Sequence, residues 1–251
     1  MDLSFYTAAV GAQQQQDRLD VHGNNIANVN TYGFRARIPS FSSLMTGQVS
    51  AVTQDLARGV GSRLEDSETD FRTTGVTGTG RALDFAIDGD GFFALMDPAT
   101  GEITYTRDGS FIMSDYPVRG EEGKEWIAEE ETTWRLTDGQ GRFVLGINGA
   151  PIDIQVTGTT DLFSEELNIG VFDFVNRNGM QSLNDNRHIP VGKNGQVTLG
   201  SGHVIQGFLE LSNADLANEM VKVIESQRSF QYMLRMITTS DEIETTVNNL
   251  R

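Results

Sequence analysis

There is no cysteine among the 251 residues, which excludes disulfides, thiolate zinc sites and cysteine nucleophiles together. No apolar run approaches the roughly 20 residues that a membrane-spanning helix needs, so no membrane insertion is expected. Basic residues are scarce. Nineteen Lys and Arg stand against 35 Asp and Glu, for a formal net charge of −16. With no Lys/Arg cluster there is no basic face for phosphate, so no nucleic-acid partner is expected and docking on anionic lipid is disfavoured. The opening residues Met1-Asp2-Leu3-Ser4-Phe5 have neither the basic start nor the apolar stretch of a cleaved secretory leader. The expectation is a chain that stays inside the cell or leaves it by a route that cleaves nothing.

Turn formers are unevenly spread. Residues 1–33 hold no proline and few glycines, residues from about 70 to 211 are crowded with turn signals, and Ser212 to Arg251 contain neither glycine nor proline. This distribution predicts a mainly β central domain, Greek-key or barrel-like, flanked by terminal α-helices that pack together or with neighbouring subunits. The expected divisions are an N-terminal axial helix with its asparagine-rich end over 1–36, an extended or loosely structured linker over 37–80, a β-rich domain over 81–211 and a C-terminal axial helix over 212–251.

The C-terminal stretch carries the strongest periodicity. Ser212, Asn213 and Asp215 are N-cap candidates, and Glu219 places an acid in the first turn. Leu216, Met220, Val223, Gln227, Phe230, Leu234 and Ile237 then recur at alternating steps of four and three, a heptad seam with one polar position. Beyond Thr238-Thr239-Ser240 the stripe moves to Ile243, Val247 and Leu250, a slip that changes a supercoil or marks a bend. At 1.5 Å per residue, such a helix extends roughly 50 Å and needs a partner to cover it. At the other end Phe5, Ala9, Ala12, Gln16, Leu19, Gly23 and Ile26 follow the same alternation. Small residues dominate that seam, so it permits close approach but buries little, and the helix is marginal alone. The plainer alternative is an amphipathic helix lying on the β-domain.

In the middle, Leu83–Ile87, the turn Asp88-Gly89-Asp90-Gly91 and Phe92–Met96 read as a hairpin. Ile103–Thr106, Arg107-Asp108-Gly109 and Ser110–Met113 repeat the pattern. Further strands are expected at Arg142–Ile147, Ile152–Val156, Leu167–Val175, Gln196–Leu199 and Val204–Leu211, with turns at Asn148-Gly149, Asn178-Gly179 and Asn194-Gly195. Residues 40–80 are rich in Ser, Thr and Gly, with apolar islands at Phe41, Leu44 and Val60, and read as extended or loose chain.

Little here suggests chemistry. Asp84, Asp88 and Asp90 lack the twelve-residue frame and closing Glu of a calcium loop, and a turn explains them better. The acidic run Glu121–Glu131 reads as a solvated loop. No carboxylate pair stands out for glycoside hydrolysis. His22, His188 and His203 sit in no metal spacing and beside no nucleophile motif, so surface or interface positions are expected for all three. No catalytic, cofactor-binding or metal-binding residue is assigned, and no cofactor or small-molecule substrate is expected.

One segment exceeds plain scaffolding. Gly23-Asn24-Asn25-Ile26-Ala27-Asn28-Val29-Asn30-Thr31-Tyr32-Gly33-Phe34 places Asn24, Asn25, Asn28 and Asn30 where the first helix should end, ahead of Gly33 and Phe34. Asparagine bonds its own backbone and tolerates left-handed conformations, so it can stop a helix and set its exit. This segment resembles the signature of the flagellar rod and hook family. Three further stretches resemble it in the same order: Leu83–Phe93, Tyr105–Phe111, and Ser212–Met220 continuing through Gln227-Arg228-Ser229-Phe230. Length and a single middle domain are most similar to the basal-body rod members of FlgF/FlgG type, proximal or distal. Residues 115–190 depart further from the pattern. The resemblance implies a structural filament subunit of the basal body, exported uncleaved through the flagellar export apparatus, polymerising through its terminal helices with copies of itself and other rod and hook axial proteins. The seam residues above would then be the assembly interface, and torque transmission the task. The alternative is an extracytoplasmic carbohydrate-binding or hydrolytic β-domain on a helical stalk.

Overall fold

A computed structural model describes residues 3–43, 47–48, 57–58, 62–115, 134–154 and 167–250. The acidic run 121–131, the islands Leu44 and Val60, and the end of the strand expected over Ile152–Val156 lie outside them. The chain forms two compact units. One comprises Met1–Val29, Ala36–Asp70 and Ala214–Arg251, the other Asn30–Arg35 and Phe71–Asn213.

The first unit contains two long helices, α1 (Leu3–Ala27) and α2 (Leu216–Asn249), and a two-stranded ribbon. Of the three N-cap candidates, Asp215 caps α2. Its carboxylate accepts from the backbone N–H groups of Ala217 (3.0 Å) and Asn218 (3.4 Å), satisfying donors that the first turn leaves free. The helix runs unbroken through Thr238-Thr239-Ser240, where the Thr238 hydroxyl donates back to Arg235 O at 2.9 Å. Residues 37–43 and 62–69, read as extended or loosely structured chain, are extended and paired with each other. Arg37–Ser43 lies antiparallel to Ser62–Thr69, from Arg37↔Thr69 to Ser43↔Ser62, with a register shift between Ser40 and Phe41. The ribbon is anchored on α1, where the Gln14 side-chain oxygen accepts from Leu64 N. An isolated two-stranded ribbon is marginal in water, so this packing accounts for its order.

The second unit is built of antiparallel strands throughout its described residues. Its central strand, Phe92–Met96, pairs with Ile103–Thr106 on one side and with Phe143–Val144 and Val171–Phe174 on the other. Phe93 and Leu95 enter one apolar cluster with Phe85, Phe111, Leu136 and Val144. Phe92 and Ala94 enter another with Tyr105, Leu145, Phe174 and Met180. Burial on both faces explains why Phe92–Met96 is apolar at every position instead of alternating.

The two hairpins expected from sequence do not form. Phe85–Asp88 pairs with His203–Gln206, not with Phe92–Met96. Ile112–Asp115 pairs with Trp134–Thr137, not with Ile103–Thr106. The glycines of the Asp-Gly segments sit at close approaches to neighbouring strands. Gly91, at φ +133°, passes so near the Val171 side chain that a Cβ would lie 2.3 Å from it. At Gly109 a Cβ would fall 1.7 Å from Phe85 O, and Phe85 N donates to Gly109 O at 3.0 Å. A side chain is excluded at Gly109 by the Phe85 backbone and at Gly91 by the packed Val171 side chain.

Candidate functional site

In the first unit α1 and α2 run antiparallel, as two contacts along the pair show: His22 with Glu219, and Gly11 against Met233. A Cβ on Gly11 would come 3.2 Å from the Met233 sulfur, so the small residue sets the spacing of the helices. The facing surfaces are not the apolar seams read from sequence. On α1 the buried side chains are Ala8, Ala12, His22 and Asn25, and on α2 Glu219 and Ser226. Each of these stripes is displaced by one residue from its heptad seam. Phe5, Ala9, Leu19 and Ile26 are half-buried flanking positions, and Ala12 is common to both stripes. On α2, Val223, Phe230 and Ile237 are half-buried, whereas Leu216, Met220, Gln227, Leu234, Ile243, Val247 and Leu250 are exposed.

A buried polar cluster selects that inner face. Glu219 Oε2 accepts from His22 Nδ1 at 2.6 Å and from Asn25 Nδ2 at 3.2 Å, and Oε1 accepts from Lys222 Nζ at 3.0 Å. Arg18 Nε donates to His22 Nε2 at 3.4 Å, which leaves the other ring nitrogen to donate to the carboxylate. Asn25 also bonds the ribbon, donating to Arg37 O and accepting from Arg37 N, both at 2.9 Å. One asparagine thus ties α1, α2 and the first strand together. Burial alone would push the Glu219 carboxyl up, but hydrogen bonds from Lys222, Asn25 and His22 outweigh it and hold the group below its ordinary range. The expectation of surface or interface histidines fails for His22 (1% exposed) and His188 (5%). His188 packs edge-on to Phe71 and Phe92, its Nδ1 3.3 Å from Ser182 Oγ.

The other asparagines divide their work. Asn28 Nδ2 donates to Asn24 O at 2.9 Å, closing the last turn of α1, while the Asn24 and Asn30 side chains are exposed. In the second unit Gly33, at φ +65°, lies against the Arg107-Asp108 backbone, and a Cβ would sit 2.4 Å from Asp108 N. Phe34 is buried beside it in sequence.

Next to that turn is a second buried cluster, which sequence reading missed. Glu210 (1% exposed side chain) accepts from Arg35 Nη2 at 2.6 Å through Oε1 and from Arg107 Nη1 at 3.1 Å through Oε2. Oε1 also faces Thr74 N at 3.3 Å, Arg35 Nη1 reaches Arg72 O at 3.1 Å, and Arg107 Nη2 reaches Gly89 O at 2.8 Å. The Arg107 guanidinium stacks over Phe92, 5.6 Å from the ring centroid. Burial draws Arg107 below the usual arginine range, with Glu210 opposing. One available signal was the lone charge within the apolar strand Phe208-Leu209-Glu210-Leu211. Asp90 of the proposed turn pairs with Arg177 at 2.8 Å, which holds its carboxyl low. Asp84 pairs with Arg81. Among the described residues no group of acids and histidines is arranged to hold a metal, and no helix is long and apolar enough to cross a membrane.

The stretches that carry these features match known families. Residues 5–35 match the flagella basal body rod protein model, 86–118 the flagellar hook protein FlgE/F/G D1 domain, and 205–250 the flagellar basal body rod FlgEFG protein C-terminal model. The flagellar basal-body rod protein FlgG of Bacillus subtilis is 32% identical over 280 aligned positions, covering 99% of this chain and 98% of its own length. FlgG of Borreliella burgdorferi is 29% identical, covering 99% and 98%. The flagellar hook-basal body complex protein FlhP of B. subtilis is 27% identical, covering 99% of both chains. Matched at both ends and in the middle, and similar along nearly its whole length to a rod protein, the chain belongs to the flagellar basal-body rod protein family, structural proteins of the flagellar basal body.

Proposed function

We propose that this chain polymerises with copies of itself and with other rod and hook axial proteins through its terminal helices, and that it performs no enzymatic turnover. It is a structural subunit of the basal-body rod, and the proposed task is to pass torque along a shaft. Chain segments 1–36 and 212–251 would be the axial parts, 81–211 the outer β-rich part, and 37–80 the linker. Export through the flagellar apparatus without cleavage completes the reading.

One observation carries it. Much of the apolar stripe of α2 stays uncovered in the single chain: Leu216 is 41% exposed, Met220 52%, Leu234 43% and Ile243 59%. A helix that buries Glu219 and Ser226 against its own partner while leaving these apolar side chains outward is organised for a neighbour. Coiled-coil packing between subunits, with Gln227 as the polar position, suits that stripe.

The Leu234→Glu variant tests this. Leu234 is exposed, so the unfolding of the purified chain should change by no more than about 0.5 kcal/mol. Burying a charge at a subunit seam, where the leucine contributes about 2 kcal/mol, should abolish swimming when the variant replaces the wild-type chain. Normal motility with unchanged stability would remove α2 from the assembly interface.

A further inference from the structure

Four covalent connections, at 29/30, 35/36, 70/71 and 213/214, join the β-rich unit to the segments that include α1, the ribbon and α2. The Glu210 cluster gathers residues just inside the last three. Arg35 is the residue just inside the second connection. It bonds Arg72 O, the second residue inside the third, and Glu210, the fourth residue inside the fourth. Backbone bonds tighten the same place: Gly33 N to Glu210 O at 2.9 Å, Leu211 N to Gly75 O at 3.0 Å and Asn213 N to Phe34 O at 3.3 Å. The Thr74 hydroxyl adds a bond to Leu211 O at 2.6 Å. Arg107 then fastens the carboxylate to the interior, through Gly89 O and the face of Phe92.

Three fully buried charges are a poor way to gain bulk stability. Apolar side chains of equal volume often do as well or better, because taking charge out of water offsets the Coulomb gain. Charged hydrogen bonds supply fixed direction instead. The forked guanidinium of Arg35 spans Arg72 and Glu210 at once, which a point charge cannot do. Single strands held only by backbone bonds could shear separately, whereas these are cross-tied through one carboxylate.

We propose that Glu210, gripped between Arg35 and Arg107, clamps the chain segments leaving the β-rich unit, so that this unit follows rotation of the rod as a rigid body. The proposal rests on the rod reading. Glu210, Arg35 and Arg107 are positioning residues within it.

Arg35→Lys keeps the charge and loses the fork, and Glu210→Gln keeps the shape and loses the charge. In the purified full chain, amide exchange at Gly33, Thr74 and Asn213 should accelerate about tenfold or more, while Leu95 and Val144 in the core exchange as in wild type. Cells carrying either variant should swim at near-normal speed in plain medium and slow more steeply than wild type as viscosity rises. Unchanged exchange at those three amides overturns the clamp. So does opened exchange with wild-type speed at every viscosity, and so does uniform loss of core protection in both variants, which would assign the cluster to bulk stability. Complementation of a strain lacking the gene by the wild-type chain tests the rod reading separately. If swimming is not restored even then, that reading fails, while the exchange measurement still reports on the clamp.

Discussion

Replacing Gly33 by alanine isolates the contribution of one turn within the family signature. Three glycines of the same unit form a graded series. At Gly75 the added methyl meets nothing within 4 Å and φ is ordinary, so Gly75→Ala should shift stability by no more than about 0.5 kcal/mol. Gly80 has equally open space but φ +69°. Gly80→Ala should cost about 1–2 kcal/mol from the left-handed backbone alone. Gly33 shares that conformation at φ +65°, and its methyl would lie 2.4 Å from Asp108 N and 2.6 Å from the Arg107 carbonyl carbon. Backbone atoms cannot swing aside, so the turn must lift away. That strains the Gly33 N to Glu210 O bond, worth about 1 kcal/mol, and adds overpacking of about 1–3 kcal/mol. The total is about 3–6 kcal/mol, which for a chain of this size lowers the melting temperature by roughly 6–24 °C, against about 2–8 °C for Gly80→Ala. Thermal unfolding of the three variants followed by near-ultraviolet circular dichroism reads the difference. If Gly33→Ala melts with Gly80→Ala, the close seat of the turn on Arg107-Asp108 is wrong.

Acid should loosen the helix pair through Glu219. Its folded carboxyl lies below the ordinary 4.5, so its contribution is complete above that value and fades as pH falls through the lower folded value. Wild type should therefore lose far-ultraviolet helix signal more steeply below about pH 4.5 than Glu219→Gln; parallel acid curves would contradict the assignment. Phe93→Ala, at a fully buried central-strand position, should cost about 3–5 kcal/mol in chemical denaturation, and a loss under 1 kcal/mol would deny its place in the core. Gly11→Ala brings its methyl 3.2 Å from the flexible Met233 thioether, so gained helix propensity of about 1 kcal/mol and mild crowding should nearly cancel in thermal melts. Gly11→Leu should instead separate the helices and expose His22 to faster ring-proton exchange. Unaltered exchange in that variant would mean Gly11 does not set the spacing.

How much of this was legible depends on the range of the interaction. Strands around Phe143, Val171, Val197 and Phe208 announce themselves through β-branched and aromatic runs between Asn-Gly turns, which are local signals. Pairing is not local. Phe85–Asp88 and Phe92–Met96 sit either side of a glycine-rich turn, yet they belong to different sheets because His203–Gln206 competes successfully for the first. The glycines that suggested hairpins were needed for close approaches to neighbouring strands, a demand that sequence spacing does not express. Glu210 was invisible for a related reason. Its partners Arg35 and Arg107 lie 175 and 103 residues away, and only the fold makes three isolated charges into one cluster.

The helices teach a different lesson about what periodicity measures. A heptad of apolar residues identifies a face that must be covered, but not by which partner. On α2 the step-four, step-three rhythm of Leu216, Met220, Val223, Gln227, Phe230, Leu234 and Ile237 is genuine, and so is the neighbouring stripe Glu219, Val223, Ser226, Phe230, Met233, Ile237. Within one chain the second stripe turns inward, because Glu219 and His22 would each lose water without compensation unless they met, and because Gly11 with Ala8 and Ala12 lets α1 come close only there. Val223, Phe230 and Ile237 serve both stripes. The remaining apolar positions are left facing outward by the polar residues that claimed the inside. The internal polar cluster and the exposed apolar stripe are therefore one design: the first sets the register of the helix pair within a subunit, and in doing so presents the second to whatever lies beside it.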